Sequence, residues 1–189
     1  MFFQLPLNYD YFRSLILPLK EIDHFIPNQG NIIDLGCGEG VIAKYLARNK
    51  KRIVIGVDKD RSRLPNIKNS NLLFQYGDIT KIDIKDSNGI VISDVLHHLE
   101  TSNQKKLITK LAKKLKKGGI LIIKEIDTKE FVRSKLSRFW DLLLYPQDKI
   151  FYWDSSDLKN FLISLGFKVK LVRSLRLFPG STTLFICKK

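Results

Sequence analysis

Short runs of apolar, largely β-branched residues recur along the first two thirds of this chain: Asn31 to Leu35, Arg52 to Asp58, Leu72 to Tyr76, Gly89 to Ser93 and Ile120 to Lys124. The stretches between them are long enough for helices. A run such as Ile120-Leu121-Ile122-Ile123 shows no alternation of apolar and polar residues, the pattern of a parallel strand covered on both faces. Alternating strands and helices build an α/β layer structure. With 189 residues the chain has room for one such domain around one core. No repeat, low-complexity tract or glycine/serine linker divides it.

The clearest helical pattern runs from about Ser102 to Lys117, with Leu107, Ile108, Leu111, Ala112 and Leu115 on one face. Thr101 and Gln104 have the spacing of a capping box, and Gly118-Gly119 reads as the stop. Residues 129 to 145 and 155 to 165 read as two further amphipathic helices, the last ended by Gly166. Lys168 to Ser174 and Thr182 to Lys188 then form strands joined by the turn Phe178-Pro179-Gly180-Ser181, which suits an antiparallel pair.

The chemistry concentrates at Asn31 to Gly40, NIIDLGCGEG, where a strand is followed by Gly36, Gly38 and Gly40 and then by the helical stretch Val41 to Arg48. Glycines let a ligand approach the backbone, and the start of the following helix offers free N–H groups. The next strand ends in Asp58, placed to accept hydrogen bonds from ribose hydroxyls. Both elements occur in dinucleotide sites, but that pattern requires glycine or alanine where this chain has Val41. Asp34 before the loop and Glu39 within it would repel a pyrophosphate and suit a ligand carrying an ammonium and a sulfonium, as S-adenosylmethionine does.

On these residues the chain resembles the class I S-adenosylmethionine-dependent methyltransferases, and within them the small-molecule branch with a D-L-G-C-G-x-G loop. Beyond DLGCGEG at 34 to 40, the resemblance includes VIGVDKD at 54 to 60, YGDIT at 76 to 80, ISDVLHHLE at 92 to 100 and LKKGGILIIKEID at 115 to 127. It covers roughly residues 30 to 189. It implies a Rossmann-like three-layer sandwich, a seven-stranded mostly parallel sheet of order 3-2-1-4-5-7-6 with strand 7 antiparallel. It also implies that Gly36 and Gly38 line the methionine moiety, with Asp34 before them, and that Asp58, followed by Lys59, holds the ribose. Asp78 would face the adenine amino group, Ile79 would pack on the ring, and Ser93 and Asp94 would stand where the fourth strand opens onto the cofactor. Plainer roles compete: a tight turn for the glycines, a turn residue for Asp78, a helix N-cap for Asp94 and a small loop filler for Cys37.

Methyl transfer from a sulfonium is an in-line displacement with an activated leaving group, so alignment of donor and acceptor is the protein's main task. An acceptor with a proton to lose benefits from a base, and His97 and His98 lie just beyond Ser93. Adjacent residues on a helical turn diverge, so one of the two is expected to face the cleft; both also read as packed scaffold. Glu125 and Asp127 are alternative cleft carboxylates. No metal-ligand spacing joins the histidines and acids, and no metal is expected. Ser93-Asp94-Val95-Leu96 lacks the Asn/Asp-Pro-Pro signature and the Pro-Cys pair that mark two nucleic-acid methylation chemistries.

Acceptor shape is expected from the least family-like regions, a cap at 1 to 28 and a possible lid at 128 to 156 within the single domain. Phe131 to Trp153 holds seven of the twenty aromatic residues, which suits a planar or lipid-like acceptor as well as plain core packing. Net charge is +14, and it is uneven: 13 basic and 11 acidic residues precede position 96, 20 and 8 follow. Seven lysines lie between Lys105 and Lys117 with no acid among them. This keeps RNA as an alternative acceptor or partner, although a solvated helix face and the dominance of lysine over arginine give it a simpler explanation. A non-catalytic cofactor-binding partner subunit is a third reading. Two cysteines, Cys37 and Cys187, form no framework, and MFFQLPLNYDYFR lacks a secretion signal, so a cytoplasmic protein without a transmembrane segment is expected. Oligomeric state is not encoded in any pattern.

Overall fold

The computed structural model describes residues 17–67, 69–126, 150–174 and 182–189. Helix α1 spans Leu19–Phe25, α2 Val41–Leu46, α3 Thr101–Lys114 and α4 Ser155–Ser164. The strands are β1 Gly30–Leu35, β2 Arg52–Asp58, β3 Leu72–Tyr76, β4 Ser87–Ser93, β5 Leu115–Ile126, β6 Lys168–Ser174 and β7 Thr182–Lys188. They form one seven-stranded sheet of order β3-β2-β1-β4-β5-β7-β6. The first five pair in parallel, while β7 runs antiparallel to both β5 and β6. This is the expected Rossmann-like order. The expected helix 129 to 145, the turn at 178 to 181, residues 1 to 16 and most of the aromatic lid lie outside the described residues.

Alternation of side chains across the pleat splits the core into two layers. Leu35, Val57, Ile90, Ile92, Leu121 and Ile123 pack with Leu107, Ile108 and Leu111 of α3 and with Leu158 and Leu162 of α4. Ile32, Val54, Val91, Ile122 and Ile186 face the opposite layer, where Leu19 and Ile22 of α1 meet Ile42, Ala43 and Leu46 of α2. Among the described residues no helix is long and apolar enough to cross a membrane.

Two local expectations need correction. The lysine-rich helix ends at Lys114, before Gly118-Gly119, because Leu115 turns to extended backbone (φ −80°, ψ 127°) and is itself buried in the core. β5 then pairs Leu115 with Ser87 but Ile120 with Gly89, so the glycines sit in an irregularity of the strand and do not cap the helix. The capping box is also absent: Glu100 is the N-cap, and the Gln104 amide is drawn inward to donate to the carbonyls of Leu99 (2.7 Å) and Phe151 (2.8 Å).

Arg52, 1% exposed, ties α1 to β2. Its guanidinium contacts Asp23 at 2.5 Å and donates to the carbonyls of Pro27 and, more weakly, Leu46. Arg52→Met should cost about 2 kcal/mol, less than a fully buried pair because Asp23 remains half exposed and can be hydrated. A denaturant titration checks this: the midpoint falls while the slope stays constant.

Candidate active site

The carboxyl ends of β1, β2 and β4 converge on the glycine loop. After Leu35 the amides of Gly36 and Cys37 both donate to Val57 O, at 2.8 and 3.0 Å, folding the loop back over the end of β2. Gly36 and Gly38 have φ of +73° and +51°, where a side chain is strained. There is also no room: a Cβ on Gly36 would come 2.3 Å from a Val95 methyl, and one on Gly38 2.6 Å from the Arg63 guanidinium.

Asp58 organises the loop from the side. One carboxylate oxygen accepts from Gly38 N at 2.7 Å and the other from Asp60 N at 2.8 Å. Lys59 beside it is exposed. Asp34 supports the loop from below: it is 1% exposed and accepts from Ala43 N in the first turn of α2 at 3.1 Å. Burial pushes its carboxyl up to about 7, opposed by that hydrogen bond and reinforced by the nearby Asp58 charge. Glu39 faces Arg63 through two contacts of 2.9 Å. Its charge is therefore matched within the chain, and the repulsion of a pyrophosphate rests on Asp58 more than on Glu39. Cys37 is half-buried, and burial raises its thiol far above the range of a nucleophile, consistent with a filler.

Asp78 follows β3 and accepts from the Thr80 amide (2.9 Å) and hydroxyl (2.7 Å), which holds its carboxyl below the usual range. Ile79 is buried with Leu35, Val57 and Ile84 on the α3 side of the sheet.

β4 ends in an elbow. Asp94 is the only non-glycine with positive φ among the described residues, +56°, a conformation that costs on the order of 1–3 kcal/mol and collects at functional sites. It is not a helix N-cap. Lys124 of β5, 5% exposed, contacts both Asp94 oxygens at 2.5 and 2.6 Å, and Asp94 N donates to Lys124 O. The Ser93 hydroxyl donates to Asp94 at 3.4 Å. This bend sets Val95 against Gly36, so the elbow and the glycine loop are in direct contact.

Beyond the elbow a single 3₁₀ turn, Leu96–His98, carries the two histidines. His97 is 2% exposed; its Nδ1 lies 2.7 Å from Glu125, whose other oxygen accepts from Leu96 N at 3.0 Å. Tyr152 stacks on His97 at 5.4 Å, and Phe151 N donates to His97 O at 2.8 Å. His98 is half-buried with its ring 4.3 Å from that of His97. Glu125 thus joins the histidines at the ends of β4 and β5, whereas Asp127 lies outside the described residues. A cavity of about 10 Å³, room for about one water, lies among His97, Gln104, Glu125, Tyr152 and Trp153.

Arg63 and the Lys124 partner of Asp94 were not singled out from sequence, and Gln104 was read only as part of a helix cap. Lys124 left a signal, a charge inside the apolar run ILIIKEI; Arg63 left none, since its contact with Glu39 spans 24 positions that hold all of α2 and β2.

Known proteins resemble this chain in sequence and in fold. The profile of a family described as a methyltransferase domain covers residues 7–172. A carboxy-S-adenosyl-L-methionine synthase of Nautilia profundicola is 28% identical over 122 residues, 61% of this chain and 52% of that one. A tRNA (carboxymethyluridine(34)-5-O)-methyltransferase of Arabidopsis thaliana is 31% identical over 101 residues, 52% of this chain and 24% of its own length. The chain thus spans about half or less of these relatives. Among solved structures, magnesium protoporphyrin IX methyltransferase from Synechocystis PCC 6803 with bound SAH superimposes with a TM-score of 0.71 over 100% of this chain and 90% of its own, at 17% identity, and so shares the fold. By the profile over residues 7–172 the chain belongs to the methyltransferase-domain family.

Proposed function

We propose that this chain transfers a methyl group from S-adenosylmethionine to a small or amphiphilic acceptor at the carboxyl ends of β4 and β5. The observation that carries the reading is the contact between the two halves of the site: Val95, next to the strained Asp94, packs on Gly36 of the glycine loop. S-adenosylmethionine supplies, when bound, a methyl group on a positively charged sulfur. Gly36 and Gly38 would line its methionine part above Asp34, and Asp58 with Lys59 its ribose. Asp78 and Ile79 would take the adenine, and Ser93 and Asp94 would border the reacting end. The loop fits such a ligand because its amides and the Asp58 carboxylate are held in place by the chain itself.

His98 takes the acceptor's proton in this reading. His97, paired with Glu125 and covered by Tyr152, is a positioning residue that fixes the turn carrying His98. Phe151, Tyr152 and Trp153 beside this turn favour a planar or apolar acceptor. The two free thiols, Cys37 and Cys187, suit a reducing cytoplasm.

The test is transfer of a tritiated methyl group into separated small-molecule, lipid, RNA and protein fractions of a cell extract. Label in the small-molecule or lipid fraction supports the reading. Binding of the donor with no label in any fraction would leave a non-catalytic partner subunit as the better account. His98→Ala should lower kcat by about a hundredfold and leave donor affinity unchanged, the signature of a lost base. Label confined to RNA would favour the second reading, which the lysine face of α3 supports.

A further inference from the structure

The outward face of α3 is an open groove of about 490 Å³ lined by Lys105, Lys106, Lys110, Lys113 and Lys114, with Phe161 of α4 on its wall. Lys105 Nζ stands 5.5 Å from the centre of the Trp153 ring and 5.9 Å from that of Phe161. Those rings stack at 5.6 Å with their planes 28° apart. An aromatic pair therefore closes one end of a lysine row.

Four residues of helix advance about 6 Å, so Lys106, Lys110 and Lys114 present one cation per turn, a spacing suited to successive phosphates of a nucleic-acid strand. Among the described residues this row meets one carboxylate, Asp83 at 3.7 Å from Lys114, and Lys110 also donates to the Ile82 carbonyl. The opposite face of α3 is fully used, with Leu107, Ile108 and Leu111 buried in the core. No apolar stripe is left to enter a bilayer, which separates this helix from a membrane-surface helix.

We propose that the groove binds single-stranded RNA, with phosphates along the lysine row and an unstacked base against the Trp153–Phe161 pair. A single strand fits better than a duplex because its bases are free to reach the aromatic end. Trp153 also lines the cavity beside His97, so a nucleotide at that end would lie next to the candidate acceptor site. The inference goes beyond methyl transfer and does not depend on it.

Fluorescence anisotropy with an end-labelled single-stranded RNA of about 12 nucleotides, titrated at several salt concentrations, tests it. Log affinity should fall with log salt at about −0.7 per phosphate contacted. The triple variant K106Q/K110Q/K114Q should bind more than tenfold more weakly at low salt and flatten that slope by about 2. Phe161→Ala should weaken binding about tenfold with the slope unchanged. Thermal melts of both variants report their folding. Salt-independent binding, or parental affinity in the folded triple variant, overturns the proposal. So does equal or tighter lysine-dependent binding to phosphatidylserine-containing vesicles or to duplex RNA. Because the readout is binding, an absence of methyl transfer leaves this result intact.

Discussion

An Asp58→Ala protein is expected to lose S-adenosylmethionine affinity by a hundredfold or more, measured by calorimetry. Hydrogen bonds to a charged group contribute about 1.5–3 kcal/mol each, and loss of two to the ribose corresponds to at least about two decades in Kd. The loop would also change, because the same carboxylate holds the amides of Gly38 and Asp60. Asp58→Asn separates these contributions. An amide oxygen can still accept from Gly38 N, so its loop should keep its shape, and its affinity should fall between those of the parent and the alanine variant. If Asp58→Ala bound the donor as well as the parent does, the cofactor assignment of the glycine loop would be wrong.

The second large effect is a pH dependence of stability centred on Asp34. Its folded carboxyl titrates at about 7 against 3.8 for an exposed one, because burial opposes its charge. The folded state then keeps a proton across this interval that the unfolded chain has released. The Asp34 contribution to stability is fully present below pH 3.8 and is lost as pH rises through about 7. Asp34→Asn keeps an acceptor for the Ala43 amide and removes the titration. Its melting temperature should exceed that of the parent by several degrees at about pH 8 and converge with it at about pH 4. A constant difference across that range would show that the buried carboxyl does not titrate there. At about pH 8, where Asp34 is ionised, the same variant should bind the donor more weakly if the glycine loop receives its cationic part, and at about pH 5 the two proteins should bind it alike.

The features read correctly from sequence are those whose cause is local. Continuous apolar runs mark strands covered on both faces, and the sheet order came with the glycine loop and the four blocks that resemble the family in sequence order. The end of the lysine helix was misplaced because Leu115 satisfies helical spacing and the core position of β5 equally well, and tertiary packing decides between them. Gln104 has the spacing of a cap, yet its amide bonds a carbonyl 47 positions away at Phe151, a partner that no local pattern announces. At the site, Gly36 and Gly38 were legible because positive φ and close packing demand glycine there, while Asp58 was read from its place at the end of β2. The roles of His97 and His98 were not, because a neighbouring Glu125 on another strand distinguishes one ring from the other. Lys124 and Asp94 form their ion pair across 30 positions for the same reason.

The place of β7 in the sheet bears on how the molecule is made. It lies between β5 and β6, antiparallel to each, and pairs from Ile120↔Lys188 to Ile126↔Thr182 on one side and from Lys168↔Lys188 to Ser174↔Thr182 on the other. As the chain leaves the ribosome, the first five strands can assemble in parallel, but β6 has no neighbour in the sheet until β7 arrives. Throughout that interval β5 presents an unpaired apolar edge, the kind of edge that recruits other chains. β7 therefore acts as a late keystone: the nascent sheet is most exposed to aggregation after its glycine loop has formed and before β7 is inserted.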